Sequence, residues 1–315
     1  MPRHLPREGA ITAANASTAS TRAGALAWAA CALALLLPFA SANAAAAGDA
    51  ARGLYLAKAG GCLACHTEDN KGATPFAGGR ALKTPFGTFY GPNLTPHAGA
   101  GIGRWSDADF VRAMRHGVRP DGANYYPAFP YPSFTGITDR DLADLWAYLK
   151  TLPPDPRPNR PHDLRFPYRW RYPIAAWKWL YFTPGPFASD PRRTPVIDRG
   201  AYLVEALGHC GECHTPRNYL GATKKDRALA GGKGPTGKDL PNLTPTHLAK
   251  WSDPELKDFL LFGTKPDMDS ADEAMAEVVR NTTSQLTPDD LVALMAYLRA
   301  LPARPDEPAT SDKKK

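Results

Sequence analysis

Apolar residues recur at i, i+3, i+4 and i+7 in two places: Leu142, Leu145, Trp146 and Leu149, and again Leu291, Leu294, Met295 and Leu298. That spacing predicts an amphipathic helix at each site. Thr138 with Asp141, and Thr287 followed by Pro288, supply start signals, while Pro153 and Pro302 mark the stops. A shorter helix is predicted over residues 50–59 and another over 198–207. The Gly-, Pro- and Asn-rich stretches between them read as loops, and strand alternation is weak throughout. The pattern predicts an all-α chain.

One apolar run is longer, from about Ala23 to Ala40. Arg3, Arg7 and Arg22 precede it, and Ala42-Asn43-Ala44 follows as a small-residue cleavage site. Residues 1–44 are therefore expected to be a signal peptide, with a retained helix anchoring the protein at the periplasmic face as the alternative. No later stretch is apolar for long enough to span a membrane, so no C-terminal span is expected. The formal net charge of +7 falls to +5 without those residues, which hold three Arg and one Glu. So modest a charge fits a solvated surface that can steer an acidic protein partner. No nucleic-acid partner is expected.

The remaining chain repeats itself. Arg52-Gly53-Leu54-Tyr55-Leu56 matches Arg199-Gly200-Ala201-Tyr202-Leu203, Pro92-Asn93-Leu94-Thr95-Pro96 matches Pro241-Asn242-Leu243-Thr244-Pro245, and Trp105-Ser106-Asp107 matches Trp251-Ser252-Asp253. An offset that stays between 146 and 149 residues means two copies of one domain, expected at 48–152 and 196–302. The intervening segment, 153–195, is Pro-rich enough to exclude a long helix and favours an extended connector. One helix-length aromatic stretch from Ile174 to Phe182 interrupts it. That stretch is expected to pack between the two domains, with docking on a membrane surface or a partner subunit as the alternative. Residues 303–315 form a charged tail.

Of five cysteines, Cys31 lies in the N-terminal apolar run, and the other four fall in Cys62-Leu63-Ala64-Cys65-His66 and Cys210-Gly211-Glu212-Cys213-His214. Each is the C-x-x-C-H pattern of covalent haem c attachment, in which two thiols form thioethers and the adjacent His ligates iron. A zinc site pooling the two Cys pairs would leave both His without a role, and a thiol redox pair would need a βαβ context that is missing. The expected cofactors are two covalently bound haem c groups, on Cys62, Cys65, Cys210 and Cys213, with His66 and His214 on the irons.

The repeated order of Arg-Gly-x-Tyr-Leu, C-x-x-C-H, Pro-Asn-Leu-Thr-Pro, Trp-Ser-Asp and a closing helix resembles the class I c-type cytochromes. More narrowly, it is similar to the cytochrome c subunits of periplasmic alcohol, gluconate and aldehyde dehydrogenases. The resemblance implies two tandem class I cytochrome c domains joined by the Pro-rich linker. It also implies a Met as the second axial ligand. Met275, just before the second closing helix, is the expected one, with Met268 in reserve. The corresponding slot of the first domain holds Phe129, which cannot bind iron. Met114 reads as a core residue there, leaving His116, His97 or an open iron for the first haem.

The expected function is a periplasmic dihaem carrier that takes electrons from a dehydrogenase to a downstream cytochrome or oxidase. The alternative is a dihaem enzyme, of peroxidase or thiosulfate dehydrogenase type, with an open catalytic iron at the first haem. No Gly-rich phosphate loop and no local nucleophile pattern points to other chemistry.

Overall fold

A computed structural model describes residues 48–234 and 237–306. The signal-peptide and Cys31 readings lie outside the described residues, as does the tail from 307 onward. No helix among the described residues is long and apolar enough to cross a membrane.

Each half builds the same frame. In the first, α1 (Ala50–Ala59) leads into a one-turn helix α2 (Cys62–His66), and α3 (Asp107–His116), α4 (Tyr131–Phe134) and α5 (Asp139–Lys150) follow. After the linker helix α6 (Tyr172–Tyr181) come α7 (Pro195–Ala201), α8 (Gly211–His214), α9 (Pro245–Leu248), α10 (Asp253–Phe262), α11 (Glu273–Asn281) and α12 (Pro288–Ala300). The Trp-Ser-Asp repeat starts α3 and α10: Ser106 and Ser252 each take a backbone N–H from the third helical residue, whose carboxylate returns a bond to the cap. Thr138 and Thr287 cap the closing helices through Asp141 N and Asp290 N.

In both halves the first helix crosses the closing one at a glycine. A Cβ on Gly53 would stand 2.0 Å from Asp144 O, and one on Gly200 would stand 1.9 Å from Ala293 O. No side chain fits there, so the Arg-Gly-x-Tyr repeat is a packing requirement. Arg52 forks onto Asp141 and Asp144, and Arg199 holds Asp290 at 2.8 and 2.6 Å. Below these crossings one cluster of buried apolar residues runs through both halves, with Leu56, Ile137 and Leu142 on one side and Leu203, Leu256 and Leu291 on the other. Each such side chain contributes roughly 1.5–3 kcal/mol by leaving water.

The two copies differ by one residue before the second motif. Tyr55 and Tyr202 are 147 apart, whereas Cys62 and Cys210 are 148 apart. The second copy absorbs the extra residue as a π-helical stretch from Tyr202 to Leu207, where Gly208 N reaches back to Leu203 O. The predicted helix over 198–207 is thus α7 running into a π turn.

The all-α expectation needs correction, because helices dominate but antiparallel strands occur. β1 (Ala81–Thr84) and β2 (Gly87–Tyr90) form a hairpin, and β3 (Asp163–Leu164) adds to its edge at Gly87↔Leu164 and Thr88↔Asp163. A two-residue ladder, β4 (Gly232–Lys233) with β5 (Asp239–Leu240), occurs in the second half. The strands are too short for an alternating pattern to stand out. Their anchor is Gly87, whose φ of +124° suits glycine and whose missing Cβ leaves room for Asp163 O at 2.4 Å.

The 153–195 segment is a strap bound to the first domain rather than a free connector. Asn93 Nδ2 donates to Asp155 O and Arg157 O, Asn159 Oδ1 accepts from Asn93 N, and His162 Nδ1 accepts from Tyr90 N. Further on, Tyr126 Oη donates to Arg169 O, and Phe187 N donates to Gly136 O. The Pro residues keep this strap extended while its other backbone groups find partners on the domain.

Candidate haem-attachment sites

A single helical turn places residues i, i+3 and i+4 on one side. α2 therefore gathers Cys62, Cys65 and His66, while α8, with Cys210 as its N-cap residue, gathers Cys210, Cys213 and His214. Among the described residues, no three His, Cys, Asp or Glu side chains converge as a metal-binding set.

The histidines carry the decisive geometry. His66 Nδ1 lies 2.8 Å from Pro92 O, and His214 Nδ1 lies 2.8 Å from Pro241 O. A carbonyl oxygen can only accept, so in each ring Nδ1 carries the hydrogen and Nε2 presents its lone pair. Burial lowers both imidazole pKa values, which keeps the rings neutral as an iron ligand requires. Burial also pushes the Cys62 thiol up to about 12, Cys65 to about 11 and Cys210 to about 12, and raises Cys213 as well. The thiols stay protonated and unpaired, ready for thioether formation. The residues present thus fit two haem c groups.

The Pro-Asn-Leu-Thr-Pro repeat supplies the orienting carbonyl, and its Asn fixes the loop. Asn93 Oδ1 accepts from Thr95 N and Oγ1 at 2.8 and 2.7 Å, and Asn242 does the same for Thr244. Asn242 Nδ2 then holds Arg304 O and Asp306 Oδ1, as Asn93 holds the strap. All four side chains are buried. The repeat was legible in the sequence; that its Pro carbonyl would set the His tautomer was not, because a backbone acceptor leaves no mark on residue identity.

The residues expected to supply or fill a second axial position lie in unlike surroundings in the two halves. Met275 lies in the first turn of α11, half-buried. Phe129 sits among Tyr125, Tyr131 and Phe134, with ring centroids 5.3 to 6.2 Å away. Met114 is buried in the core, and Met268 is exposed in a turn. His97 Nδ1 accepts from Gly99 N and Ala100 N, which commits it to its own loop, and His116 is exposed at the end of α3.

The sites also face one another. Tyr55 Oη donates to Asp290 of the second half, and Tyr202 Oη donates to Asp141 of the first. Ser133 Oγ, in α4, donates to Glu212 Oε1 inside the second C-x-x-C-H at 3.1 Å. Conversely, Arg80 bridges to Glu277 on α11, and a Cβ on Gly61, next to Cys62, would lie 3.0 Å from Thr282 Oγ1. The far loop of each half therefore abuts the attachment turn of the other. Sequence reasoning found the repeated Arg-Gly-x-Tyr but not this exchange. The polar Tyr within an otherwise apolar helix face was its only signal.

A family model for cytochrome c matches residues 50–153 and 197–302. A protein of Cereibacter sphaeroides named Diheme cytochrome c-type is 46% identical over 260 residues, which cover 81% of this chain and 87% of that protein. The gluconate 2-dehydrogenase cytochrome c subunit of Pantoea cypripedii is 41% identical over 266 residues, 80% of this chain and 59% of that subunit. The fructose dehydrogenase cytochrome subunit of Gluconobacter japonicus is 38% identical over 264 residues, 82% of this chain and 54% of that subunit. The chain thus spans little more than half the length of these two dehydrogenase subunits.

Proposed function

Since the chain belongs to the cytochrome c family and carries two covalently bound haem c groups, we propose that it is a periplasmic electron carrier, accepting single electrons from a dehydrogenase and passing them to a downstream redox protein. The observation that carries this reading is the reciprocal contact just described, which sets the two attachment turns side by side. The bound groups supply reversible one-electron chemistry. The chain's own residues do the rest. Pro92 and Pro241 carbonyls hold the His rings, the Tyr55–Asp290 and Tyr202–Asp141 bonds hold the halves together, and the merged apolar core excludes water between them.

Cys62, Cys65, Cys210 and Cys213 are the thioether positions in this reading, His66 and His214 the proximal ligands, and Met275 the second ligand of the second haem. Phe129, in the corresponding slot of the first half, has no atom that can bind iron, and this asymmetry would set the two haem potentials apart. The relatives named above are themselves cytochromes or cytochrome subunits, which favours a carrier over a dihaem enzyme. The export pattern in residues 1–44 supports the periplasmic location.

The test is anaerobic mixing of the oxidised holoprotein with the catalytic subunits of a dehydrogenase, such as a gluconate or alcohol enzyme, and that enzyme's substrate. Uptake of two electrons per chain, with no turnover of peroxide or thiosulfate, supports the carrier. Turnover of either compound without uptake from any dehydrogenase overturns it.

A further inference from the structure

Helix α6 is turned the wrong way round for a helix lying on a soluble protein. Its six exposed residues are Tyr172, Pro173, Ala175, Ala176, Trp179 and Leu180, and none of them is charged. Its one charged residue, Lys178, faces inward, where Nζ donates to His116 O and to Asn124 Oδ1 at 2.5 and 2.7 Å. Tyr172 is 92% exposed and Trp179 84%. An ordinary surface helix shows water its charges and hides its apolar stripe.

The approach to α6 carries the same character. Phe166, Tyr168 and Trp170 are exposed large rings, interleaved with Arg165, Arg169 and Arg171. From residue 157 to 189 the chain has six Arg or Lys and a single carboxylate, Asp163, so this stretch is strongly cationic. Arg165 and Arg171 donate only to the backbone carbonyls of Pro85 and Asn124, while Arg169 lies over the Phe166 ring. None of the three pairs with a carboxylate among the described residues. The polar tips of Tyr168, Trp170, Tyr172 and Trp179 likewise find no hydrogen-bond partner there.

We infer that this face, α6 with the Arg165–Arg171 approach, docks the protein on an anionic phospholipid surface. Trp and Tyr combine an apolar body with a polar tip and settle where acyl chains meet headgroups. An apolar helix face buries about 5–10 Å into that boundary. The exposed guanidiniums of Arg165 and Arg169 match phosphate oxygens in the headgroup layer, and Arg171, held by Asn124 O and the Tyr126 ring, adds its charge to the same face. The inference is independent of the electron-transfer reading.

The test uses the full-length holoprotein with vesicles of pure phosphatidylcholine, or of equal parts phosphatidylglycerol and phosphatidylcholine, and reads co-sedimentation by haem absorption. The N-terminal apolar run is the same in every variant, so differences report this face. Expected is a preference for the phosphatidylglycerol vesicles, lost in R165Q/R169Q/R171Q by about a hundredfold in affinity. Y172E/W179E weakens binding to both vesicles by about tenfold or more. W179S, a milder change, weakens it in the same direction with the Soret spectrum and thermal midpoint unchanged. Vesicle binding unaltered in all three variants overturns the proposal. So does a change that appears only in the sedimentation velocity of the protein alone, which would assign the face to a second copy of the chain. Loss of binding to a purified dehydrogenase subunit with vesicle binding intact overturns it as well, in favour of a protein partner.

Discussion

Tyr55 donates its hydroxyl proton to Asp290 across the boundary between the two halves, while Asp290 also takes two hydrogen bonds from Arg199 of its own half. The mirror contact is Tyr202 to Asp141, with Arg52 as the local cation. One repeated Arg-Gly-x-Tyr sequence therefore does two jobs. Its Arg closes the domain it belongs to, and its Tyr closes the pair. Replacing Tyr55 by Phe removes a donor to a buried carboxylate and is expected to cost about 1.5–3 kcal/mol. Tyr202→Phe should cost a similar amount. Guanidinium unfolding followed by haem absorption measures both, and a double variant whose halves unfold in separate steps would confirm that these bonds couple the domains.

Acid and alkali should loosen this boundary from opposite sides. Burial pushes Asp290 up, but the bonds from Arg199 and Tyr55 more than offset it, so its pKa lies below the ordinary 3.8. A depressed carboxylate stabilises the fold above 3.8, and that contribution is lost as pH falls through the lowered value. Burial, reinforced by the bonds to Asp290 and Asp141, raises the Tyr55 and Tyr202 phenols above 10. A raised phenol stabilises the fold fully below pH 10, and the contribution is lost as pH climbs through the raised value. Unfolding midpoints of wild type measured from pH 7 upward should therefore begin to fall only above about 10. In Tyr55→Phe/Tyr202→Phe that part of the alkaline decline should be absent.

The helix crossings predict a sharp penalty for a single methyl group. Gly53→Ala or Gly200→Ala would put a Cβ about 2 Å from a backbone carbonyl oxygen of the closing helix, and backbone cannot rotate away as a side chain can. The helices must separate, exposing part of the core, at a cost of about 2–4 kcal/mol. At an open helical position the same change would stabilise by up to about 1 kcal/mol, so the sign of the effect distinguishes crowding from propensity. Thermal melts of the two variants against wild type decide it.

These glycines show which parts of the fold could be read in advance. The 3.6-residue periodicity, the Thr caps and the stops at Pro153 and Pro302 are local, and α5 and α12 follow from them; the Ser106 and Ser252 caps of α3 and α10 were visible only as a repeated Trp-Ser-Asp. The attachment turns follow from residue identity alone. The β1–β2 hairpin escaped because its strands have four residues each and its turn, Pro85-Phe86, lacks the usual Asn-Gly signature. The strap escaped because its affinity for the first domain rests on Asn93, Asn159 and His162 bonding to backbone groups, which composition cannot reveal. The π turn was present as a one-residue change of offset between Tyr202 and Cys210, visible only when the repeats are aligned residue by residue.

The slot shared by Phe129 and Met275 makes the last prediction, because one substitution in each half should move only one haem. Methionine in that position favours the reduced iron and raises the potential, and axial ligands together span about 0.8 V. Met275→Leu keeps the volume and removes the sulfur, so the potential of the second haem should fall by about a tenth of that span or more, while the first stays put. Phe129→Met places a thioether among Tyr125, Tyr131 and Phe134 at a modest packing cost of about 1 kcal/mol. If the sulfur reaches the iron, the potential of the first haem rises and the two waves of a redox titration draw together. Low-temperature EPR of the oxidised variants separates ligand exchange from mere repacking, since a new axial thioether changes the g-values and a refilled cavity does not. A Met275→Leu protein with unchanged potentials and spectrum would remove Met275 from the iron and leave the second haem as open to question as the first.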